Sequence, residues 1–356
     1  MRRLRAAIGA LALMLCGCSR PTPGVVTLRY ATPYPPGHPF SQADSVWMAW
    51  VAQASHGRLR VEPFWGGALL SSDQSMEEIR HGIADIGLIT PIYTLGGAHA
   101  QRAQAGFYGG VRSIDEQVGL YKCLATDFPA LRDELVGLHV LAVQGGNIPA
   151  LLTRNRVVRS LDDLRGLRIR APSENLEVLR KLGADPVDMP MGDVYPALAK
   201  GVIDGVIAPA DTLKSLHFAE VAHHLALLKV SRGAYPARAM DERRWRTLPP
   251  DLQAILTQGQ LVWEQALKAK LTKAESDGLA FGRTHGVQFV PVSPSEQARF
   301  DALYNAQAEA TARALSRFGV NGLPIFREAQ RLIRDTPPGA VPSCGTGAAP
   351  SSRQPS

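Results

Sequence analysis

Cysteine is scarce in this sequence: there are four in 356 residues, and Cys16 and Cys18 stand near its start. Neither Cys123 nor Cys344 has a second cysteine or histidine at zinc-ligand spacing, so no metal site is expected at either of them. These two cysteines can form one disulfide with each other or remain unpaired, and the sequence leaves both alternatives open.

Long apolar runs and dense basic runs are also missing. Beyond the first 18 residues, no stretch is apolar enough for a transmembrane helix, and a hydrophobic fraction of 45% is ordinary for a globular protein. Removing the three arginines of the leader from the formal charge of +7 leaves about +4. With no Lys/Arg cluster interleaved with aromatics, nucleic-acid binding is not expected.

Catalytic motifs are absent too. The chain has no nucleophile elbow, no phosphate-binding glycine loop with its lysine, and no paired carboxylates at a predicted pocket. We therefore expect neither an enzyme nor a bound cofactor. The length of 356 residues is enough for two domains with sizeable cores.

The N-terminus has the pattern of a targeting segment. A charged MRRLR stretch precedes the short apolar run Ala6–Leu15, which is too short to span a bilayer. The run ends in Leu15-Cys16-Gly17-Cys18, which resembles the bacterial lipobox, and it predicts a lipoprotein signal peptide over 1–18 with Cys18 lipidated. Residues 19–26 would form a tether, placing the protein outside the cytoplasm on a membrane. The alternative is a plain cleavable signal peptide.

The first part of the remaining chain alternates strands and helices, which predicts an α/β layer with parallel strands. The predicted elements are a strand at Thr27–Ala31, a helix at Phe40–Ala54, a strand at Leu59–Trp65, a helix at Ser71–Arg80 and a strand at Ile83–Ile89. Ligands of α/β sheets lie beyond the carboxyl ends of strands. Tyr34, Thr90 and Tyr93 follow predicted strands and are candidates for a ligand cleft, whereas His38 is expected to be a solvated loop residue.

A change of domain is predicted after the strand Leu138–Gln144, because two glycines there allow the backbone to bend. Asn147 and Thr153, on either side of the start of the next strand, are candidate polar groups facing the cleft.

The stretch Leu167–Pro172 reads as a strand that stops at its proline, with Ser173 able to cap the following helix. Arg168 and Arg170 fall on the same face, so the two-residue period cannot choose between them. A guanidinium is always charged and offers two parallel donors to a carboxylate, which suits it to binding an acid.

This region resembles the solute-binding proteins of TRAP transporters, of the DctP type, over about Thr27 to Ile333. The matching residues are Gly166–Pro172, Gly183–Pro186, Val194–Leu198, Gly201–Gly205 and, earlier, Gly67, Leu69, Glu78, Gly82, Asp85 and Gly87. The resemblance implies a two-lobed α/β periplasmic-binding-protein fold with mixed sheets, an interdomain cleft and a long spine helix. It also implies that Arg170 forms a two-pronged salt bridge to an organic acid, which is passed to membrane permease subunits.

The implied boundaries follow from the same resemblance. Lobe I would comprise 27–146 and about 236–275, lobe II 147–235 and about 276–320, with a C-terminal helix at 321–336. From residue 337 to 356 the composition predicts a disordered tail.

Two departures from the family pattern bear on the ligand. Ala150 stands where members that bind sialic-type acids have an arginine, and Ala208 stands where they have an asparagine. Both changes make the pocket more apolar and favour a small, apolar or aromatic carboxylate. Two other classes remain open: a ligand-binding module that feeds a sensor kinase, and a secreted hydrolase or isomerase acting on a small acid.

Overall fold

The computed structural model describes residues 24–94 and 96–344. The predicted signal peptide, Cys18, most of the tether and the tail beyond Cys344 lie outside the described residues. Eleven strands in this part of the chain form two sheets. The strands are β1 Val26–Ala31, β2 Leu59–Phe64, β3 Ile86–Leu88, β4 Leu138–Gln144, β5 Ala150–Thr153, β6 Arg168–Arg170, β7 Asp185–Val187, β8 Gly205–Ala208, β9 His224–Ala226, β10 Tyr235–Asp241 and β11 Gln288–Val290.

The five-stranded sheet has the order β2-β1-β3-β10-β4 and forms the centre of what we call lobe I. β1 is parallel to β2 and β3, as the alternating pattern predicts, while β10 runs antiparallel to both β3 and β4. Every residue of β3 and β10 is buried because helices cover both faces of the sheet.

The six-stranded sheet, in the order β11-β9-β5-β8-β6-β7, forms the centre of lobe II. β6 is parallel to β7 and β8, whereas β5 is antiparallel to β8 and β9. The chain crosses from lobe I to lobe II through 145–149 and returns through 227–234.

Twelve α-helices are present in the described residues. They are α1 Pro39–Ala54, α2 Ser75–Arg80, α3 His99–Gln104, α4 Ile114–Asp127, α5 Pro129–Asp133, α6 Leu176–Lys181, α7 Val194–Ala199, α8 Thr212–Ser215, α9 Glu242–Arg246, α10 Pro250–Thr284, α11 Pro294–Ala314 and α12 Gly322–Asp335. No helix among residues 24–94 and 96–344 combines the length and apolarity that crossing a bilayer needs.

The 35-residue helix α10 is the spine that the family resemblance implies. It contacts α1 and β4 in lobe I, and α8 and β11 in lobe II. The expected fold class, a two-lobed mixed α/β protein with a long helix, is confirmed.

Several predicted bounds differ from the structure for local reasons. The helix expected from Ser71 begins only at Ser75, because the Glu78 carboxylate accepts hydrogen bonds from the Ser71 backbone and hydroxyl and holds that segment as a loop. Ser173 does not cap a helix; it begins a 3₁₀ turn, Ser173–Asn175, that leads into α6. The strand expected over Ile83–Ile89 is confined to β3.

The C-terminal segment up to Cys344 is attached to lobe I by a disulfide between Cys123 of α4 and Cys344. Val341 and Pro342 lie so close to Gly119 of α4 that a β-carbon there would be 2.4 Å from Val341 Cγ1. Residues 337–344 are thus placed against the body, which corrects the expectation of a disordered tail from residue 337.

Candidate ligand-binding site

Arg170 is the last residue of β6, at the edge of lobe II that faces lobe I. Pro172 has no N–H to donate and ends the strand there. Arg170 is 1% exposed, whereas Arg168, which the alternation put on the same face, is exposed and pairs with Asp185 at 3.4 Å. The structure therefore separates the two arginines that the sequence could not.

The guanidinium of Arg170 is held by neutral groups from both lobes. Its Nε donates to the Met189 carbonyl at 2.9 Å, its Nη1 to the Ile207 carbonyl at 3.4 Å, and its Nη2 to the Tyr93 hydroxyl at 2.5 Å. In the part of the chain that the structure describes, no carboxylate lies within 4.0 Å of it. Because three of its five N–H groups are used, a buried cation remains with two donors for an anion.

A cavity of about 70 Å³ lies beside this guanidinium, between the lobes. Lobe I contributes mainly aromatic residues, and lobe II contributes Arg170 and several apolar side chains. The main contributors are Tyr34, Phe40, Tyr93, Arg170, Ile207 and Leu216. The cavity thus combines an apolar wall with a few polar groups, as small-molecule sites commonly do.

Tyr34 forms part of this wall as predicted, and His38 helps to fix its position. The His38 ring stacks on the Tyr34 ring with centroids 4.1 Å apart, and Phe40 meets the Tyr34 ring edge-on at 5.1 Å. His38 Nδ1 accepts the Phe40 backbone N–H at the start of α1, and burial lowers the pKa of His38 to about 3. His38 is therefore a buried, neutral cavity residue, which corrects the expectation of a solvated loop histidine.

Four other candidates do not line the cavity. The Thr90 hydroxyl donates to the Ser72 carbonyl between β3 and α2, and the Thr153 hydroxyl donates to the Arg156 carbonyl at 2.5 Å. Ala208 points into the core of lobe II, while its neighbours Ile207 and Pro209 reach the cavity. The positions of Thr90, Thr153 and Ala208 do not support the prediction that these residues face the ligand.

Asn147, the fourth, has a structural position at the crossing. Its side-chain amide donates to Asp211 Oδ1 at 3.1 Å and to the Leu271 carbonyl of α10 at 3.0 Å. It thereby ties the crossing to the spine helix and to lobe II.

Three charged cavity residues were not found by sequence reasoning: Glu174, Asp211 and Arg232. Each lies in a turn or crossing, where no periodicity shows which side chains face inward. The position of Glu174, just after the Arg170 strand, is the one signal that could have identified it.

The acids of the site hold protons more firmly than usual. Burial raises the pKa of Glu174 to about 6, with Asp188 also raising it and the Arg170 and Arg232 charges lowering it. Burial likewise raises the pKa of Asp211, opposed by the hydrogen bond from Asn147. Within the described residues, no group of three or more His, Cys, Asp or Glu side chains is placed to hold a metal ion.

The family model for bacterial extracellular solute-binding proteins, family 7 (DctP), matches residues 117–314, which is more than half of the chain. The chain belongs to this family. The resemblance to TRAP-type DctP proteins drawn from the sequence is thus confirmed, and a family 7 protein is an extracytoplasmic solute-binding protein. The comparisons support neither a sensor-linked module nor a secreted enzyme.

Among curated family relatives, a monocarboxylate 2-oxoacid-binding periplasmic protein of Nostoc sp. is 23% identical over 257 residues. The match covers 68% of this chain and 67% of that protein. The sialic acid-binding periplasmic protein SiaP of Vibrio cholerae is 38% identical over only 77 residues, which is 21% of this chain and 24% of SiaP.

Solved TRAP solute-binding proteins share the family 7 fold with this chain. One from Rhodoferax ferrireducens, in complex with copurified benzoate, has a TM-score of 0.78 at 24% identity and covers 87% of this chain and 98% of its own. One from Bordetella bronchiseptica, with bound mandelate, has a TM-score of 0.76 at 18% identity, with coverages of 87% and 99%. At these sequence identities, the structural similarity shows that this chain has the same fold as the two solved proteins.

Proposed function

We propose that this protein captures an organic acid in the cavity between its lobes and delivers it to the membrane permease of a TRAP transporter. One observation carries the proposal: the guanidinium of Arg170 is buried beside the cavity between the lobes, with no carboxylate of the described chain within 4.0 Å. A buried charge without a partner is costly. A ligand carboxylate would supply the missing charge and accept the two remaining N–H donors.

The ligand that fits best is a small acid with an apolar or aromatic body. The cavity wall is built largely of tyrosine, phenylalanine and aliphatic side chains. Three of the similar proteins described above have ligands of this kind: the Nostoc protein binds monocarboxylate 2-oxoacids, and the two solved structures contain benzoate and mandelate.

Closure of the lobes is the step that binding would favour. We place the lobe boundaries at the two crossings, 145–149 and 227–234, with α10 as a third connection. Because Tyr93 of lobe I and Arg170 of lobe II are hydrogen bonded to each other at the cavity, an acid can meet groups of both lobes only in the closed form. Binding would thus shift the population toward that form, which a permease can recognise.

The test is ligand binding by matched arginine variants. Mass spectrometry identifies the acid that copurifies with the protein. Calorimetry then measures the affinity of the protein for that acid, for benzoate and for mandelate. Arg170→Ala should weaken binding at least about thirtyfold, since losing one partner of a buried ion pair costs about 2–5 kcal/mol.

Arg168→Ala is the control, because its side chain lies on the same strand but forms only a surface ion pair, worth about 0–1 kcal/mol. It should bind acids like the unaltered protein. Equal affinities in the Arg170→Ala variant and the unaltered protein would contradict the proposal, as would the absence of any acid that binds.

We also propose that the protein is attached to the membrane through a lipid on Cys18, with residues 19–26 as the tether. The lipobox-like run before Cys18 supports this. Several acyl chains on one cysteine hold a protein to a bilayer far better than a single chain does.

A further inference from the structure

Arg232 is a second arginine at the cavity, and it lies in the crossing that returns the chain from lobe II to lobe I. It is half-buried and stands three residues before β10. Unlike Arg170, it belongs to a segment that connects the two lobes, and this segment would bend in the closure proposed above. Its guanidinium therefore reaches the ligand cavity from the side of the crossing segment.

The backbone of the other crossing supports this guanidinium. A β-carbon at Gly146 would lie 2.4 Å from Arg232 Cζ and 2.6 Å from its Nε. Gly146 is itself fixed, because its N–H donates to Gln117 Oε1 at 2.7 Å and its carbonyl accepts from Gln117 Nε2 at 3.0 Å. Arg232 therefore packs against the backbone of Gly146, and the side chain of a larger residue at position 146 would occupy the space of the guanidinium.

The donors of Arg232 have no protein partner in residues 24–94 and 96–344. No carboxylate of that part lies within 4.0 Å of it, and none of its N–H groups forms a hydrogen bond to a protein acceptor there. By contrast Arg238, a buried arginine of lobe I, is paired with Asp44 at 2.7 Å. An arginine that is held at a cavity with five unused N–H donors can bind a ligand that supplies hydrogen-bond acceptors.

The charge of Arg232 acts on cavity groups of both lobes. It lowers the pKa of Tyr235 and Tyr34 on the lobe I side, and that of Glu174 and Asp211 on the lobe II side, in each case against the effect of burial. The cavity therefore presents two cations, Arg170 and Arg232, approached from different directions.

We propose that Arg232 is a specificity residue that binds a second oxygen acceptor on the ligand, while the carboxylate binds Arg170. The preferred ligands are then acids that carry an oxo group, a hydroxyl or a second carboxylate as well as the first carboxylate. This rests on the proposed function, because it needs an acid in the same cavity.

The test compares acids that differ only in the second acceptor. Butanoate, 2-hydroxybutanoate, 2-oxobutanoate and succinate form one set; phenylacetate, mandelate and phenylglyoxylate form an aromatic set. The unaltered protein should bind at least one acid with a second acceptor about tenfold or more tightly than its plain counterpart, as expected for a hydrogen bond to a charged donor.

Arg232→Met keeps the apolar stem and removes the donors. It should weaken binding of the acids with a second acceptor about tenfold more than binding of their plain counterparts, and so abolish the preference. Gly146→Ala should cause the same loss of preference with Arg232 unchanged, because the added methyl group displaces the guanidinium. Arg168→Met is the matched control and should keep the preference, and thermal unfolding checks that each variant is folded.

The outcomes separate the two proposals. If no acid of either set binds to the unaltered protein and no acid copurifies with it, the proposed function itself fails. If acids bind but the preference is absent, or survives in Arg232→Met, only the role of Arg232 is overturned. A uniform loss for plain and substituted acids in Arg232→Met would also overturn it, since that result reflects charge alone.

Discussion

Glu174 is the titratable residue whose ionisation should be visible in ligand binding. Its Oε2 atom is buried without a hydrogen-bond partner, and burial raises its pKa to about 6. Below pH 6 the carboxyl is mainly neutral, and above it a negative charge stands in the cavity that receives an acid. We expect the affinity for a carboxylate to fall as the pH rises from 5 to 7.5, measured by calorimetry.

Glu174→Gln should remove this pH dependence and bind more tightly at pH 7.5, whereas Glu177→Gln, an exposed change in the same segment, should keep it. The stability of the folded protein should likewise fall as the pH rises. The folded-state pKa lies above the ordinary value of 4.5, so the stability contribution of the protonated group is lost as the pH rises toward 6. A pH profile that is identical in Glu174→Gln and the unaltered protein would exclude this role.

The sequence could identify Arg170 but not Arg232, and the reason is physical. Arg170 lies in a stretch that matches the family motif, and that resemblance, rather than the alternation, made it the candidate in place of Arg168. Arg232 reaches the cavity only because the distant Gly146 supports it. Contacts between residues so far apart depend on the completed packing of both lobes, which no local pattern contains.

At the scale of elements, Gly278 shows why a glycine can occur inside a long helix. Glycine weakens the interior of a helix, yet α10 runs unbroken from Pro250 to Thr284 through Gly278. A β-carbon at position 278 would lie 2.2 Å from the Ala210 carbonyl oxygen and 2.7 Å from Asp211 Cα. The glycine is there because the spine helix touches the backbone of lobe II.

Gly278→Ala should therefore destabilise the protein. In an unobstructed helix the change would stabilise by about 1 kcal/mol, but here the clash is with backbone and should cost about 1–3 kcal/mol net. Thermal unfolding should show a midpoint lowered by a few degrees. Ser276→Ala, at an exposed position two residues earlier, should leave it unchanged or slightly higher; a raised midpoint in Gly278→Ala would refute the close approach.

Strand bounds were predicted best where a strand is followed by a strong turn signal. β4 occupies Leu138–Gln144 as expected, since Gly145 and Gly146 follow it. Helix starts were predicted less well. The helix expected from Ser71 begins at Ser75, and Ser173, expected to cap a helix, begins a 3₁₀ turn instead. A serine hydroxyl can form hydrogen bonds that stabilise either a helix start or a turn, and tertiary contacts decide which of the two forms.

At the scale of the whole molecule, attachment to the membrane can be tested directly. We expect Cys18→Ser to move the protein from the membrane fraction to the soluble fraction, because no helix in residues 24–94 and 96–344 can replace a lipid anchor. Mass spectrometry of the N-terminal peptide should show acyl chains on Cys18. Cys16→Ser is the control and should remain with the membrane; retention of Cys18→Ser in the membrane fraction would contradict the lipid assignment.

The position of β10 has a consequence for how the chain matures during export. Among the strands of residues 24–94 and 96–344, β4 pairs only with β10, which lies between β4 and β3 in the sheet but follows β5 to β9 in the chain. As the polypeptide emerges N-terminus first, lobe I therefore has two unpaired strand edges until residue 241 has been translocated, and exposed edges of this kind invite aggregation. Five of the six strands of lobe II, β5 to β9, are contiguous in the chain and can pair with one another before β10 is available, and β11 joins their sheet last.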